Sequence, residues 1–218
     1  MRVIKDPEER RNEIMDVAER LFLTKGYTGT AINDILKEIG IAKGTFYYYF
    51  QSKEEVMDAI VMRFIKKGVE AATCVANDTN LTAPEKLFHI LMSQNQGDDE
   101  KMQMVDQLHH VNNAEMHQKS LVESIVQLTP VLTQVIEQGM EEGVFETDYP
   151  QESVEFLLVA SQFLFDEGIF QWKPEQLIKK AVAFTNIMEK SLGAKQGTFS
   201  YIVQLISDST QRGDDSSE

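Results

Sequence analysis

The side chains with the most capacity to bind another molecule lie together in one stretch, from Thr30 to Lys53. Its sequence is TAINDILKEIGIAKGTFYYYFQSK, in which lysine ammonium groups and tyrosine hydroxyls follow a central glycine. Such groups donate hydrogen bonds to phosphate oxygens and to the edges of bases in a DNA groove. The stretch therefore indicates nucleic-acid binding, provided that helices hold these groups on one face.

Two short helices joined by a tight turn are predicted within this stretch. Thr30 is expected to be the N-cap of the first, and Gly40 can end it in the left-handed conformation. The second helix is predicted to begin near Ala42, with Ile41 filling the corner between the two. Apolar residues at three- and four-residue spacing mark the first helix: Ile32, Ile35, Leu36 and Ile39.

The second helix can bury one face and expose another. Phe46 and Phe50 are four residues apart, so they share the face that packs inward. Ser52 and Glu55 then form an S-x-x-E capping box that starts a third helix with Lys53 in its first turn. The side chains left to point outward are Lys43, Thr45, Tyr47 and Tyr48. Together these features predict a helix-turn-helix DNA-binding unit.

The same residues resemble a known family. The run GIAKGTFYYYFQSKEEV, preceded by IMDVAERLFLTKGYTGT, is similar to the N-terminal domain of the tetracycline-repressor (TetR) family of transcriptional regulators. The motif covers about the first quarter of the chain. Ala31 and Ala42 depart from it, because the family often has a hydroxyl residue at both positions. Phosphate contact at those two points is therefore in doubt.

The resemblance implies a role for each residue of the motif. Lys43 and the Gly44 backbone are expected near bases, and Tyr47 at a base edge or a thymine methyl. The phosphate candidates are Thr30, Tyr48, Tyr49 and Lys53. Packing alone is the alternative for the tyrosine run, above all for Tyr49. The resemblance also implies a homodimer that binds an inverted-repeat operator.

The net charge of −14 is concentrated outside this motif. Residues 1–67 contain 12 Lys and Arg against 11 Asp and Glu, a balance of +1. Residues 68–218 contain 9 against 24, a balance of −15. Since screening confines strong electrostatic interaction to about 10 Å, the acidic part does not exclude DNA binding by the N-terminal part. We expect nonspecific DNA binding to be weak.

Composition indicates a folded protein without a membrane segment. The 218 residues are 42% apolar, and no apolar run approaches the roughly 20 residues that span a bilayer. The N-terminus lacks the apolar core of a secretory signal, so a cytoplasmic location is expected. A single cysteine, Cys74, excludes an intramolecular disulfide and is expected to be a small packed residue.

Helical periodicity continues through the chain, which predicts an all-α fold with two domains. Residues 1–53 are assigned to a three-helix helix-turn-helix domain, in which helix one ends at Lys25-Gly26. A connecting helix from about 53 to 76 leads into a larger helical ligand-binding and dimerisation domain, 54–207. The segment 208–218 is predicted to be a polar, disordered tail. An N-terminal arm with Arg2 and Lys5 can touch DNA.

Three further helices of the larger domain have wide apolar faces. The segment from about 114 to 142, with Pro130 inside it, is predicted to be one long kinked helix or two abutting helices. Two more helices are predicted over 150–169 and 174–192, each opened by a proline. By resemblance, the last two pair with a second copy in a four-helix dimer interface. Its expected residues are Val154, Leu157, Leu158, Phe165, Leu177, Ala181, Phe184 and Met188.

A ligand pocket in this domain is also implied by the resemblance, with a small-molecule inducer that releases the operator. The inducer's identity is not readable from the residues. Possible lining residues are Phe88, Met92, Met102, Met104, His109, His110, Met116, His117, Phe163 and Phe165. Plain core packing is the alternative for each Met and Phe.

The sequence therefore predicts a ligand-responsive DNA-binding regulator, and the resemblance favours a repressor. Two alternatives stay open: a metal-responsive regulator that uses His109, His110 and His117, and a helical interaction module without DNA binding. A glycine-rich phosphate loop and an H-E-x-x-H motif are both absent, so no enzyme and no cofactor is expected.

Overall fold

A computed structural model describes residues 6–95, 114–166 and 168–215. Within these residues all regular structure is α-helical, which confirms the predicted fold class. The helices are α1 (Pro7–Lys25), α2 (Ile32–Ile39), α3 (Lys43–Tyr49), α4 (Lys53–Ala76), α5 (Ala83–Asn95), α6 (Ala114–Glu141), α7 (Pro150–Leu164), α8 (Pro174–Ser191) and α9 (Ser200–Asp215). None of these helices is long and apolar enough to cross a membrane.

The described chain forms two compact units. The first comprises residues 6–68 and 114–122, and the second comprises 69–95, 123–166 and 168–215. The helices α4 and α6 therefore each contribute residues to both units.

The first unit begins with a capped helix. The Asp6 carboxylate accepts a hydrogen bond from the Glu8 N–H at 2.9 Å, and Pro7 opens α1. Arg63 on α4 donates to Asp16 of α1 at 2.7 Å and also to Glu19, which fixes α4 against α1. Fully buried side chains from all four N-terminal helices fill the core: Ile14, Phe22, Ile35, Phe46, Phe50 and Ile60.

The second unit has its own apolar core, closed at one end by a buried lysine. The Lys86 ammonium on α5 donates to the carbonyl of Ala76 and to Oε1 of Gln138, each at 2.6 Å. A buried ammonium is stable only where oxygen atoms replace its water, so this group ties together the ends of α4 and α5 and the body of α6. The core includes Ala72, Ala83, Val135, Ile136, Leu192 and Phe199.

Three helix boundaries refine the expectations from sequence. Pro130 lies inside one uninterrupted helix, α6. The helix predicted over 150–169 ends at Leu164. There the Leu164 carbonyl accepts a hydrogen bond from the Trp172 indole N–H at 2.9 Å, and a turn follows at Asp166. At the C-terminus, α9 continues to Asp215, into the segment for which the sequence predicts a tail.

Candidate nucleic-acid interface and ligand cavity

A left-handed glycine forms the turn between α2 and α3. Gly40 has φ 76° and ψ 34°, and its N–H and that of Ile41 both donate to the Leu36 carbonyl, at 2.9 and 3.1 Å. Ile41 packs against the core, which fixes the direction in which the chain leaves α2. Ala42 is then the N-cap of α3. The structure thus confirms the tight turn and the start of the second helix.

The orientation of α3 is set by its buried phenylalanines. Phe46 and Phe50 are fully buried with ring centroids 6.2 Å apart, as their spacing predicts. The opposite face is open to solvent, and Tyr48 is 75% exposed. The residues of this α3 face are Lys43, Gly44, Tyr47 and Tyr48. Thr45 and Tyr49 are half-buried beside it.

The groups on the α3 face contact one another in pairs. The Lys43 ammonium lies 5.7 Å from the Tyr47 ring centroid, and the Tyr48 ring meets that of Tyr49 edge-on at 4.9 Å. Tyr49 also packs against the core, so its ring is anchored while the Tyr48 ring is free to contact a partner. Packing therefore accounts for Tyr49 but not for Tyr48.

Gly44 is also a position on the α3 face where internal packing does not explain the residue type. A Cβ added there meets no atom within 4 Å, and the residue lies inside a helix, where glycine is disfavoured. Glycine with no internal reason on an exposed face is typical of a close approach by another molecule.

Lys53 has a structural role that the sequence does not reveal. Its ammonium donates to the carbonyls of Tyr27 and Thr30, at 2.8 and 2.9 Å, and lies 4.1 Å from the Tyr27 ring centroid. Two of its three N–H groups are thus used to hold α4 against the turn between α1 and α2. Only the third remains for a phosphate.

Two carboxylates accept hydrogen bonds at the start of α4. Ser52 Oγ accepts from the Glu55 N–H at 3.1 Å, as in the predicted capping box, but the Glu55 carboxylate accepts from Gln51 rather than from Ser52. Glu54 accepts from the Tyr27 hydroxyl at 3.1 Å. Its own backbone N–H holds the pKa of the Glu54 carboxyl below the usual range, while burial raises the pKa of Tyr27.

Thr30 is placed differently from the prediction. It is 2% exposed, and its hydroxyl lies 2.8 Å from the Gly26 carbonyl and 3.2 Å from that of Leu21, so it closes the end of α1. Ala31 is the N-cap of α2, and its N–H donates to Asp34 at 2.9 Å. A buried hydroxyl cannot reach a phosphate, so we withdraw the phosphate contact expected for Thr30.

The second unit contains a cavity of about 420 Å³. Side chains from α5, α6, α7, α8 and α9 line it, most of them leucine, isoleucine and phenylalanine. Of the pocket residues predicted from sequence, Phe165 is on this wall. Met116 is buried in the core of the first unit instead. Phe88, Met92, His117 and Phe163 lie off the wall, and Met102, Met104, His109 and His110 lie outside the described residues, as do Arg2 and Lys5.

Two family profiles match the chain. Residues 14–60 match the family described as bacterial regulatory proteins, tetR family, and residues 95–187 match the tetracyclin repressor-like C-terminal domain. The two matched segments together span more than half of the sequence. The chain belongs to the tetracycline-repressor family. Its α1–α3 and the start of α4 are the helix-turn-helix of that family.

Curated relatives match this TetR-family protein over short segments. A regulator encoded in the lacX 3' region of Lactococcus lactis is 48% identical over 56 residues, which are 26% of this chain and 29% of the relative. The repressor KstR2 of Rhodococcus jostii is 39% identical over 56 residues, 26% of this chain and 28% of that protein. The match thus spans less than a third of either relative's length.

Solved structures share the fold of this TetR-family protein over most of the chain. A TetR/AcrR-family regulator from Thermobifida fusca has 23% identity and a TM-score of 0.59, with 91% of this chain and 97% of that chain covered. A regulator from Cytophaga hutchinsonii has 14% identity and a TM-score of 0.61, with 92% and 97% covered. At these identities the likeness shows the fold alone.

The residues predicted for the dimer interface of this TetR-family protein lie on the inner faces of α7 and α8. Ala181 is fully buried and Leu177 half-buried. The other six line the cavity: Val154, Leu157, Leu158, Phe165, Phe184 and Met188. Different apolar residues, on the outer faces, are exposed to solvent: Phe156, Val159, Phe163, Val182 and Ile187. We call these five the outer apolar face.

Gln162 and Ser124 are cavity residues that the sequence interpretation missed. A signal was present for Gln162, which follows the inward residues Val154 and Leu158 at helical spacing and is polar where an apolar residue is expected. As for metal, the described residues contain no group of three His, Cys, Asp or Glu side chains that can hold an ion. The metal-responsive alternative depends on His109 and His110, which are outside them, and stays a hypothesis.

Proposed function

We propose that this protein is a homodimeric transcriptional repressor that acts on chromosomal DNA in the cytoplasm. In this proposal the α3 face binds an inverted-repeat operator, and a small molecule in the cavity of the second unit releases it. The observation that carries the proposal is the α3 face itself, with Phe46 and Phe50 fully buried behind it and Lys43, Gly44 and Tyr48 exposed.

The chemistry of the α3 face supports insertion into a major groove. The Lys43 ammonium can donate to guanine O6 and N7, and the tyrosine hydroxyls can bond base edges or phosphates. The Gly44 backbone, without a side chain, allows α3 to come close to the DNA. Lys53 can add one N–H toward a phosphate while its other two hold the turn between α1 and α2.

The outer apolar face supports dimerisation. Phe156 is 76% exposed, and the rest of the outer apolar face is exposed with it on two adjacent helices. Exposed apolar side chains of this kind are typical of an interaction site, and a two-fold axis would let the same face cover itself. Two α3 helices related by such an axis would meet successive major grooves about 34 Å apart, which requires an inverted repeat.

Similar proteins support the repressor and ligand parts. The KstR2 relatives from Rhodococcus and from Mycobacterium tuberculosis are named as repressors. A structural neighbour, SmeT, with 16% identity and a TM-score of 0.58, was solved as a complex with triclosan. A cavity of about 420 Å³ in the second unit is within the roughly 300–1,000 Å³ that small-molecule sites occupy.

The test is selection of genomic DNA fragments by the full-length protein, followed by fluorescence anisotropy on the enriched sequence. We expect an inverted repeat, and we expect Tyr48→Ala to weaken binding at least tenfold because an exposed donor on the α3 face is removed. Tyr149→Ala is the matched control, since Tyr149 is 65% exposed in the second unit. Lack of any enriched fragment, or equal affinity of the two variants, would refute DNA binding by this face.

A further inference from the structure

The described residues on the wall of the second-unit cavity are uncharged. Among the described residues that line it there is no Lys, Arg, His, Asp or Glu. Burial raises the pKa of Tyr201, one of the lining residues, so its phenol is also neutral at physiological pH. An ion that enters such a cavity loses its water and finds no opposite charge, which strongly disfavours charged molecules.

Four polar side chains interrupt this apolar wall among the described residues: Ser124, Ser161, Gln162 and Tyr201. Gln162 on α7 donates from Nε2 to the Ser124 hydroxyl of α6 at 3.1 Å. Its other amide atom, Oε1, is buried and accepts no hydrogen bond from any described residue. Ser161, the neighbouring polar lining residue, already donates to the Leu158 carbonyl at 3.0 Å. Among the described lining residues, Gln162 Oε1 is therefore the buried polar atom that lacks a hydrogen-bond partner.

An unpaired buried amide oxygen is costly, and a donor from a bound molecule would remove that cost. The two ends of the Gln162 amide can also exchange by rotation. Oε1 would then accept from Ser124, and the NH₂ group would need an acceptor. A hydroxyl can donate or accept, so it satisfies the pair in either orientation.

We propose that the cavity binds a neutral, largely apolar small molecule whose single hydroxyl bonds to Gln162. This rests on the ligand-release part of the proposed function and names the chemical class of its ligand. An apolar body matches the leucine-, isoleucine- and phenylalanine-rich wall, and the hydroxyl supplies the partner that Gln162 lacks. Selection against fatty acids and amines is expected because none of the described lining residues carries a counter-charge.

The proposal is tested by thermal unfolding of the full-length protein with three probes that share one alkyl chain: 1-decanol, decanoate and decylammonium. A ligand that binds only the folded state stabilises it by RT ln(1 + c/Kd) at a free ligand concentration c, so at one ligand concentration tighter binding raises the melting temperature more. We expect 1-decanol to raise it, and both ions to bind at least about 100-fold more weakly. No shift with 1-decanol at saturation, or an equal shift with either ion, would overturn the proposal.

Two variants locate the hydrogen bond. Gln162→Leu keeps the side chain's bulk and is expected to weaken 1-decanol binding roughly three- to tenfold. Thr133→Val is the matched control, because Thr133 Oγ1 is also a buried atom without a partner but does not line the cavity. It should leave 1-decanol affinity unchanged. Equal affinity of Gln162→Leu and the wild type would overturn the assignment of the hydroxyl to Gln162.

These measurements contain no DNA, so they separate the two proposals. If 1-decanol binds selectively while no operator is found, the cavity inference holds and the proposed function fails. If an operator is found while decanoate binds as tightly as 1-decanol, the ligand class is wrong and DNA binding stands.

Discussion

Replacing Gly44 with alanine should raise stability and lower DNA affinity at once. A Cβ at this position meets no atom within 4 Å, so no steric cost is expected in the free protein. Alanine is favoured over glycine by about 1 kcal/mol in a helix interior. Gly44 is the second residue of α3, where the effect is smaller, so we expect about 0.5 kcal/mol and a rise in melting temperature of about 1–2 °C.

The same methyl group should interfere with DNA. In the proposed complex Gly44 is next to Lys43 on the face that enters the groove, and the added carbon would hold α3 away from the bases. We expect operator affinity to fall at least about tenfold, which corresponds to about 1.4 kcal/mol. Fluorescence anisotropy on the selected operator, at one fixed salt concentration, measures this loss.

Gly40→Ala is the matched control for the stability term. Gly40 is equally open, with no atom within 4 Å of an added Cβ, but its φ is +76°. Alanine in the left-handed conformation costs about 1–2 kcal/mol, so this variant should be destabilised where Gly44→Ala is stabilised. A destabilised Gly44→Ala would contradict the geometry described for α3, and unchanged operator affinity would show that DNA does not approach Gly44 closely.

Two further variants test the correction at Thr30 and the dimer. Thr30→Val should lower the free energy of unfolding by about 1 kcal/mol in urea titrations, since a buried hydrogen bond is lost. The operator affinity of the folded protein should stay unchanged. A specific loss of affinity would show that Thr30 contacts a phosphate after all. Phe156→Asp should leave the protein folded but monomeric in sedimentation, with operator affinity at least about 100-fold weaker. Tyr48→Ala should remain dimeric. A dimeric Phe156→Asp variant would exclude the outer apolar face as the dimer interface.

The N-terminal helices were predictable because their signals are local. Asp6 and Pro7 start α1, Gly40 ends α2, and Phe46 and Phe50 fix the buried side of α3. Each of these effects acts within one turn of the chain, so sequence spacing is sufficient to find it.

Thr30 shows where local reasoning fails. A threonine just before an apolar helical run is a good N-cap by its position in the sequence. In the folded protein the carbonyls of Leu21 and Gly26 lie within reach of its hydroxyl and take it into the interior. That competition depends on how α1 ends in space, which residue spacing does not contain.

The inner and outer faces of α7 show a second kind of failure. Residues 154, 157, 158 and 165 follow helical spacing, and so do 156, 159 and 163. A helix that is apolar around most of its circumference has no unique buried stripe, so periodicity predicts the helix but not its rotation. Packing against α6 and α8 selects the first set for the cavity and leaves the second exposed. Six of the eight residues assigned to the dimer interface from sequence line the cavity, and the interface itself stays a prediction.

The described residues of the helix-turn-helix offer few phosphate contacts, which is why the proposed function includes a dimer. Thr30 is buried, and Ala31 and Ala42 lack hydroxyls. Lys53 donates two of its three N–H groups to carbonyls inside the protein. Residues 1–67 have a balance of only +1, so long-range attraction to DNA is weak as well. Each neutralised phosphate contributes a slope of about −0.9 to the salt dependence of affinity, so one copy should show a shallow dependence and a low affinity. In the proposed dimer, two copies joined through the outer apolar face would double the contacts on one DNA molecule and so combine two weak interactions into a tighter one.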